Sequence, residues 1–361
     1  RAILINSCYQ STMRSDTKPL AQATPLDDPE GFREALIHWF RQDGRSYPWR
    51  ETTDPYAIVV SELMLQQTQI ATVLERDYYG RWMLQFPDVE TLAAASEDAI
   101  LKAWEGLGYY RRARNLQKLA QVVSNEHEGK FPETLENILA LPGVGPYTAG
   151  AVLSFAFNEP VPLVDGNVHR VFARLFDSHE VVDSTAGQKQ MWAWAADLVS
   201  PDHPRLYNSA LMELGQTICR QKSSDCQTCP VNTFCQTRTP EDLPKKAPRR
   251  KTVFQNEHVL FQTHQDQLLL IQEQGKRRQG LWKLPPCPDS KTDQLSLLYK
   301  AKYSITHHRV TLHVYASKEL SVDDSKWHPL KDIHELAMPS PYRKAVDQLV
   351  KDRDQFQLEH R

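Results

Sequence analysis

The sequence predicts a multidomain protein in which an all-α domain with a cysteine-rich loop is followed by a smaller α+β domain. Three observations predict it. From Asp28 to Cys235 apolar residues recur at spacings of three and four, the period of a helix with a buried face. Pro240 to Pro248 then interrupts the pattern with three prolines and a cluster of positive charge, the composition of a linker. Beyond it the period shortens to short alternating or β-branched runs, which is a strand signal. The expected organisation is an N-terminal extension of little order (1–27), a helical domain (28–238), a basic linker (239–252) and a second domain (253–361).

Within the helical part the runs are 32–40, 56–70, 92–104, 116–123, 149–157, 168–176 and 210–218. Short connections punctuated by Pro and Gly, such as Phe86-Pro87 and Leu141-Pro142-Gly143, imply a compact bundle. In the last third, strands are expected at 257–262, 268–272 and 310–316, and a final helix at 341–351. No internal repeat is present.

With 361 residues, 40% hydrophobic and 24% charged, the chain can bury more than one core. No apolar run reaches the roughly 18–20 residues that cross a bilayer. Residues 1–20 lack the apolar stretch and cleavage site of a secretory signal, and Met13 is a candidate start. The net charge of −2 does not favour nucleic acid as a partner. Phosphate contact needs only local basic surface, and two stretches supply it. One is Arg111, Arg112, Arg114 and Lys118; the other is Lys245, Lys246, Arg249, Arg250 and Lys251. A solvated helix face and a charged linker are the alternatives.

Four of the six cysteines, Cys219, Cys226, Cys229 and Cys235, are separated by six, two and five residues. Such clustering without a secretory signal indicates metal ligation rather than disulfides. Structural zinc favours two close pairs, and only Cys226/Cys229 is one. A compact loop of unequally spaced thiolates suits an iron–sulfur cubane, and both metals stay open on spacing alone.

Three further segments carry chemistry. In Leu141-Pro142-Gly143-Val144-Gly145-Pro146, the glycines permit a tight reversal and Pro146 suits a first helical turn. Either a plain helix–helix turn or a set of free amides that grips phosphate would use this pattern. Asp165, in Val164-Asp165-Gly166-Asn167-Val168, stands at a helix entry, where an N-cap is the ordinary role. Glu62 lies in Val60-Ser61-Glu62-Leu63-Met64-Leu65-Gln66-Gln67-Thr68, on a helix whose buried face carries Tyr56, Val59, Leu63 and Met64.

Taken together, the cysteine loop after the 210–218 helix, the hairpin at 141–150 and the Asp165-Gly166 helix entry resemble the endonuclease III (helix-hairpin-helix) superfamily of DNA glycosylases. The Glu62 segment, with Pro48-Trp49-Arg50 before it and Gly106-Leu107-Gly108-Tyr109-Tyr110 after it, is similar to the MutY family of adenine glycosylases. The likeness is strong over residues 30–240 and looser beyond. It implies a helix-hairpin-helix glycosylase domain with a 4Fe-4S cluster on the four cysteines, and a Nudix-like C-terminal domain. It also implies hydrolytic removal of adenine from duplex DNA where adenine faces 8-oxoguanine or guanine.

The resemblance assigns roles residue by residue. Glu62 is the general acid and later the base for water, and Asp165 stabilises or traps the sugar cation, supported by Tyr147 and Asn167. Gly143 and Gly145 hold the backbone of one strand. Gln67 and Tyr109 fill the duplex around the lesion, and Trp49 and Leu65 line the adenine pocket. Tyr147 stands where lyase members carry the Schiff-base Lys, so strand cleavage through an imine is not expected. Ser209 stands where some members carry an acidic or amide residue. In the C-terminal domain, Gly280-Leu281-Trp282-Lys283-Leu284-Pro285 fits the start of the core, and no Nudix box follows it. Ile305-Thr306-His307 matches a lesion-reading Phe-Ser-His hairpin, keeping hydroxyl and imidazole but not the aromatic ring. The short linker resembles bacterial members, which implies a cytoplasmic monomer working on the nucleoid, with no membrane partner.

Two other functions compete. An endonuclease III-like lyase for oxidised pyrimidines is opposed by Tyr147 and by the Ser61–Thr68 string. A non-catalytic iron–sulfur DNA-binding or redox protein would show no activity for Glu62→Gln to abolish.

Overall fold

The computed structural model describes residues 25–248, 250–275, 277–317 and 323–359. Residues 1–24 of the expected N-terminal extension, and Arg249 of the basic run, lie outside the described residues. The chain divides into two compact units. One comprises the segments through Glu75, Met83–Ala93 and Lys118–Pro248; the other comprises Arg76–Trp82, Ala94–Gln117 and the chain from Arg249 onward. The helical stretch of the sequence therefore contributes to both.

The helices in order are α1 (Pro29–Asp43), α2 (Pro55–Leu65), α3 (Ile70–Glu75), α4 (Tyr78–Gln85), α5 (Val89–Ala94), α6 (Glu97–Ala103) and α7 (Arg111–Glu126). They continue with α8 (Leu135–Ala140), α9 (Pro146–Ala156), α10 (Gly166–Leu175), α11 (Thr185–Leu198) and α12 (Pro204–Thr217). Two expected helices are shorter than their apolar pattern. The 56–70 run stops at Leu65 because Gln66 turns out of the helix with ψ 115° and Gln67 follows with a left-handed φ of 62°, which cannot continue a right-handed helix. The 92–104 run breaks at Ser96, whose hydroxyl accepts from the Ala99 N–H and starts a new helix.

The core of the first unit is formed by α1, α10, α11 and α12, with Phe32, Leu36, Val168, Phe172, Met191, Leu198, Leu211 and Leu214 almost fully buried. The segment after the cysteines is docked on this unit. Leu243 joins its core, the Val182 N–H donates to the Lys245 carbonyl and the Ala247 N–H to Asp183.

In the second unit, β1 (Val253–Phe261), β2 (Thr263–His264), β3 (Gln267–Gln272), β4 (Trp282–Lys283), β5 (Leu297–Ile305), β6 (His308–Ala316) and β7 (Ser325–Pro329) form two sheets. One has the order β1-β6-β5, with β1 parallel and β5 antiparallel to β6. The other runs β2-β3-β4, with β7 also pairing β3. Helix α13 (Ser340–Glu359) lays Tyr342, Ala345, Val346 and Leu349 against Val259, Phe261, Leu312 and Val314, so one face of the first sheet is core. The expected strands at 257–262, 268–272 and 310–316 are present, and β5 and β7 add to them.

Candidate active site

Helix α2 is built to bury a carboxylate. Asp54 caps it, accepting from the Tyr56 and Ala57 N–H groups, and Pro55 fits the first turn. Every residue from Tyr56 to Met64 is buried, so the helix lies inside the unit rather than on it. Glu62, 4% exposed, is the one charged residue in that run. Helix α9 packs against α2 and brings Tyr147, in its first turn, alongside. The Tyr147 hydroxyl donates to Glu62 Oε2 at 2.5 Å. The hydroxyl is thus bonded to Glu62, while Tyr147 also feels the charge of Asp165.

Asp165 caps α10. Its Oδ1 accepts from the backbone N–H groups of Asn167 (2.8 Å) and Val168 (2.7 Å), and Oδ2 accepts from Asn167 Nδ2 at 2.9 Å. Asn167 thus donates to Asp165 through both its backbone and its side chain. Close packing of α12 against α10 depends on Gly215, because a Cβ there would come within 2.6 Å of the Asn167 Cβ. The two carboxylates interact electrostatically across the site. Burial raises both proton affinities. It pushes Glu62 up to about 7, with the Asp165 charge adding to the rise while Tyr147 and Arg50 oppose it. Asp165 is also raised by burial, but the N–H groups of Val168 and Asn167 and the Arg170 charge pull it back. Burial and the two neighbouring carboxylates hold the Tyr147 phenol neutral.

Glu62 opens into a cleft whose walls include Trp49, Leu65, Tyr47, Arg50, Ser209 and Met212. Trp49 stacks on Tyr47 with ring centroids 5.3 Å apart. The two expected pocket residues thus share a cavity with the expected acid, and Ser209 lines it too. Sequence reasoning missed the cation–carboxylate pair beside it. Arg50 bonds Glu213 at 2.8 Å and lies over the Tyr47 ring, and Glu213 is 1% exposed. The available signal was a lone Glu within the apolar run 210–215 of α12.

The hairpin forms as expected. Helix α8 ends at Ala140, Gly143 turns the chain with φ 79°, and Gly145 caps α9 with nothing within 4 Å of where a Cβ would stand. Gln67 is exposed at its left-handed position. In the second unit, Tyr109 is 50% exposed with φ 47°, and the buried Arg112 lies over its ring. Thr306 and His307 form the two-residue turn between β5 and β6, with Thr306 at φ 54°.

Cys219, Cys226, Cys229 and Cys235 are free thiols, and Cys229 feels the charge of the other three. Arg174 donates to Cys219 Sγ at 3.3 Å, and Arg170 donates to the Cys219 carbonyl and to Asn167 Oδ1. An all-thiolate donor set in one loop, steadied by a buried guanidinium, fits an iron–sulfur cluster. Among the described residues no three His, Cys, Asp or Glu side chains are gathered around a single point as one ion's ligands.

Comparison with known proteins agrees with this geometry. Residues 60–196 match the HhH-GPD superfamily of base excision DNA repair proteins. The chain is 43% identical over 216 residues to the human adenine DNA glycosylase and 40% identical over 235 residues to that of Mus musculus. It covers 39% and 45% of those proteins, less than half their length, while the matches span 57% and 63% of this chain. An adenine DNA glycosylase of Buchnera aphidicola (Baizongia pistaciae) is 28% identical over 350 residues, covering 89% of this chain and 97% of that one. Among solved structures, a thermostable thymine-DNA glycosylase is 30% identical with a TM-score of 0.53, over 58% of this chain and 95% of its own. With its hairpin, capped aspartate and cysteine loop, the chain belongs to the HhH-GPD superfamily of base excision DNA repair proteins, and it is similar to adenine DNA glycosylases.

Proposed function

We propose that the protein is a monofunctional adenine DNA glycosylase, hydrolysing the N-glycosidic bond of adenine mispaired with 8-oxoguanine or guanine in duplex DNA. The observation that carries this reading is Glu62, held near neutral proton affinity on the wall of the Trp49–Leu65 cleft and within electrostatic reach of Asp165. The adenine leaves the stack and enters the cleft. Protonated Glu62 gives its proton to a ring nitrogen, so the base departs neutral as the C1′–N bond breaks. The ionised Asp165, backed by its three N–H donors, faces the sugar cation. Glu62, now a carboxylate, takes a proton from the water that attacks C1′. Tyr147 offers no amine, so the backbone stays intact.

The four cysteines would hold a 4Fe-4S cluster that shapes the loop after α12; such a cluster supplies structure to DNA-binding loops. Gly143 and Gly145 hold one strand, Gln67 and Tyr109 enter the duplex, and Thr306 and His307 of the Nudix-like domain read the opposite base. The near full-length match to a bacterial relative supports a cytoplasmic protein acting on the nucleoid; the form proposed is a monomer. Duplexes carrying adenine opposite each base, incubated with the protein and treated with alkali, test the reading. Cleavage at adenine opposite 8-oxoguanine is expected, and its absence would overturn it. A borohydride-trapped covalent adduct would instead indicate a lyase.

A further inference from the structure

One face of the three-stranded sheet β1-β6-β5 packs on α13, and the register sets the composition of the other. Strand pairing aligns Phe254 with Arg309 and Ser304, Asn256 with Thr311 and Lys302, and His258 with His313 and Lys300. Residues paired across a sheet share a face, so these three rows form one continuous surface. The contacts agree, because the His258 and His313 rings stack at 4.8 Å and His313 feels the Lys300 charge. The surface is open. Phe254 is 80% exposed, and Arg309, Ser304, Asn256, Lys302 and Lys300 are all exposed. Cover begins only at the far end, where Cys287 and Leu295 pack on Leu260 and Tyr315.

Three cations therefore stand in adjacent rows with hydroxyl, amide and ring groups between them, and no row contains a carboxylate. Glu257, the acid on β1, has the opposite parity and bonds Tyr303 and Tyr342. Among the described residues no carboxylate pairs with Lys300, Lys302 or Arg309. A chain of net charge −2 that gathers three unpaired cations on a flat polar sheet presents a phosphate-binding surface. The exposed ring of Phe254 adds an apolar contact. The first row also borders the Thr306-His307 turn, since the Val253 N–H donates to the His307 carbonyl.

We infer that this open sheet face binds the sugar–phosphate backbone of duplex DNA, with Lys300, Lys302 and Arg309 as the phosphate contacts. The inference rests on the proposed action on DNA and adds a surface to it. Its test is the salt dependence of the full-length protein's affinity for an undamaged duplex. Each lost phosphate contact removes about 0.9 from the slope of log affinity against log salt concentration. Combined Lys300→Ala, Lys302→Ala and Arg309→Ala should lower the slope by about two to three. The charge-conserving set Lys300→Arg, Lys302→Arg and Arg309→Lys, which controls for folding, should keep it. An unchanged slope in the alanine variant overturns the inference, even if the parent protein excises adenine. A lowered slope in a protein that excises no base supports the inference while removing the proposed activity. A slope lowered equally by both sets would mean that shape rather than charge is lost, and would overturn it.

Discussion

Glu62 and Asp165 are both carboxylates taken out of water, one in the body of α2 and the other at the first turn of α10. In the body of a helix every nearby backbone N–H is already bonded, so Glu62 finds a single donor, the Tyr147 hydroxyl. At a helix start the amides are unpaired, and Asp165 collects two of them plus the Asn167 side chain. Burial raises both groups, but only Asp165 has a set of fixed donors that stabilises its charge. The same functional group thereby has one donor in one place and three in the other, which suits the proposed roles of proton donor and anion. Placement along a helix makes the distinction before any substrate arrives.

The largest test of this contrast replaces each group by its neutral isostere. Glu62→Gln removes the transferable proton and Asp165→Asn removes the charge, so each should cost ~10³–10⁴-fold or more in single-turnover adenine excision. Duplex binding should survive both. If Asp165→Asn retained near-parental excision, a charge at that helix start would not be needed and the contrast would collapse.

A smaller effect lies in the pH profile. Glu62 must be protonated to act as the acid, and with its affinity at about 7 the protonated fraction falls tenfold per pH unit above that point. Excision should decline accordingly on the alkaline side. The Tyr147 hydrogen bond stabilises the carboxylate and so lowers its proton affinity. Tyr147→Phe should therefore move the alkaline limb to higher pH, whatever it does to the maximum rate. A limb that stays in place would mean that another group sets it.

Much of this site was legible in the sequence, for identifiable reasons. Asp165 announces itself through Gly166 and the helical period that follows, because a cap is a local device. The cysteines and the Gly143–Gly145 reversal are local too. What escaped depends on contacts between distant segments. The Arg50–Glu213 pair joins residues 163 positions apart, and no spacing rule couples a Pro-Trp-Arg turn to the third turn of α12. The Tyr147–Glu62 hydrogen bond escaped for the same reason, since it joins residues 85 positions apart and depends on the packing of α9 on α2. Strand β5 has polar and apolar residues in alternation, but as an edge strand with an open face it buries too little to stand out. Gln67 cut a helix that its apolar pattern would have continued, because a left-handed residue leaves no hydrophobic mark.

The smallest effect is on stability, and its sign separates the two carboxylates from ordinary buried charges. Glu62 has a proton affinity of about 7 in the folded chain against 4.5 when free. Between those values the native state binds the proton and the unfolded state does not. Stability must then fall as pH rises through that window, and the loss is complete above pH 7. Glu62→Gln keeps an acceptor for the Tyr147 hydroxyl but cannot ionise, so it escapes this loss. Each tenfold change in proton affinity between the two states is worth about 1.4 kcal/mol. The variant should therefore be more stable than the parent by roughly 1–3 kcal/mol at pH 8, and no more stable near pH 4.5. Urea unfolding at the two pH values measures the difference. An equal gain at both would trace the stabilisation to packing, and no gain at pH 8 would mean that the folded site accommodates the charge as readily as water does. The expected result is a site that is more stable without its acid, because the desolvation that unsettles Glu62 is also what keeps a proton on it for the departing base.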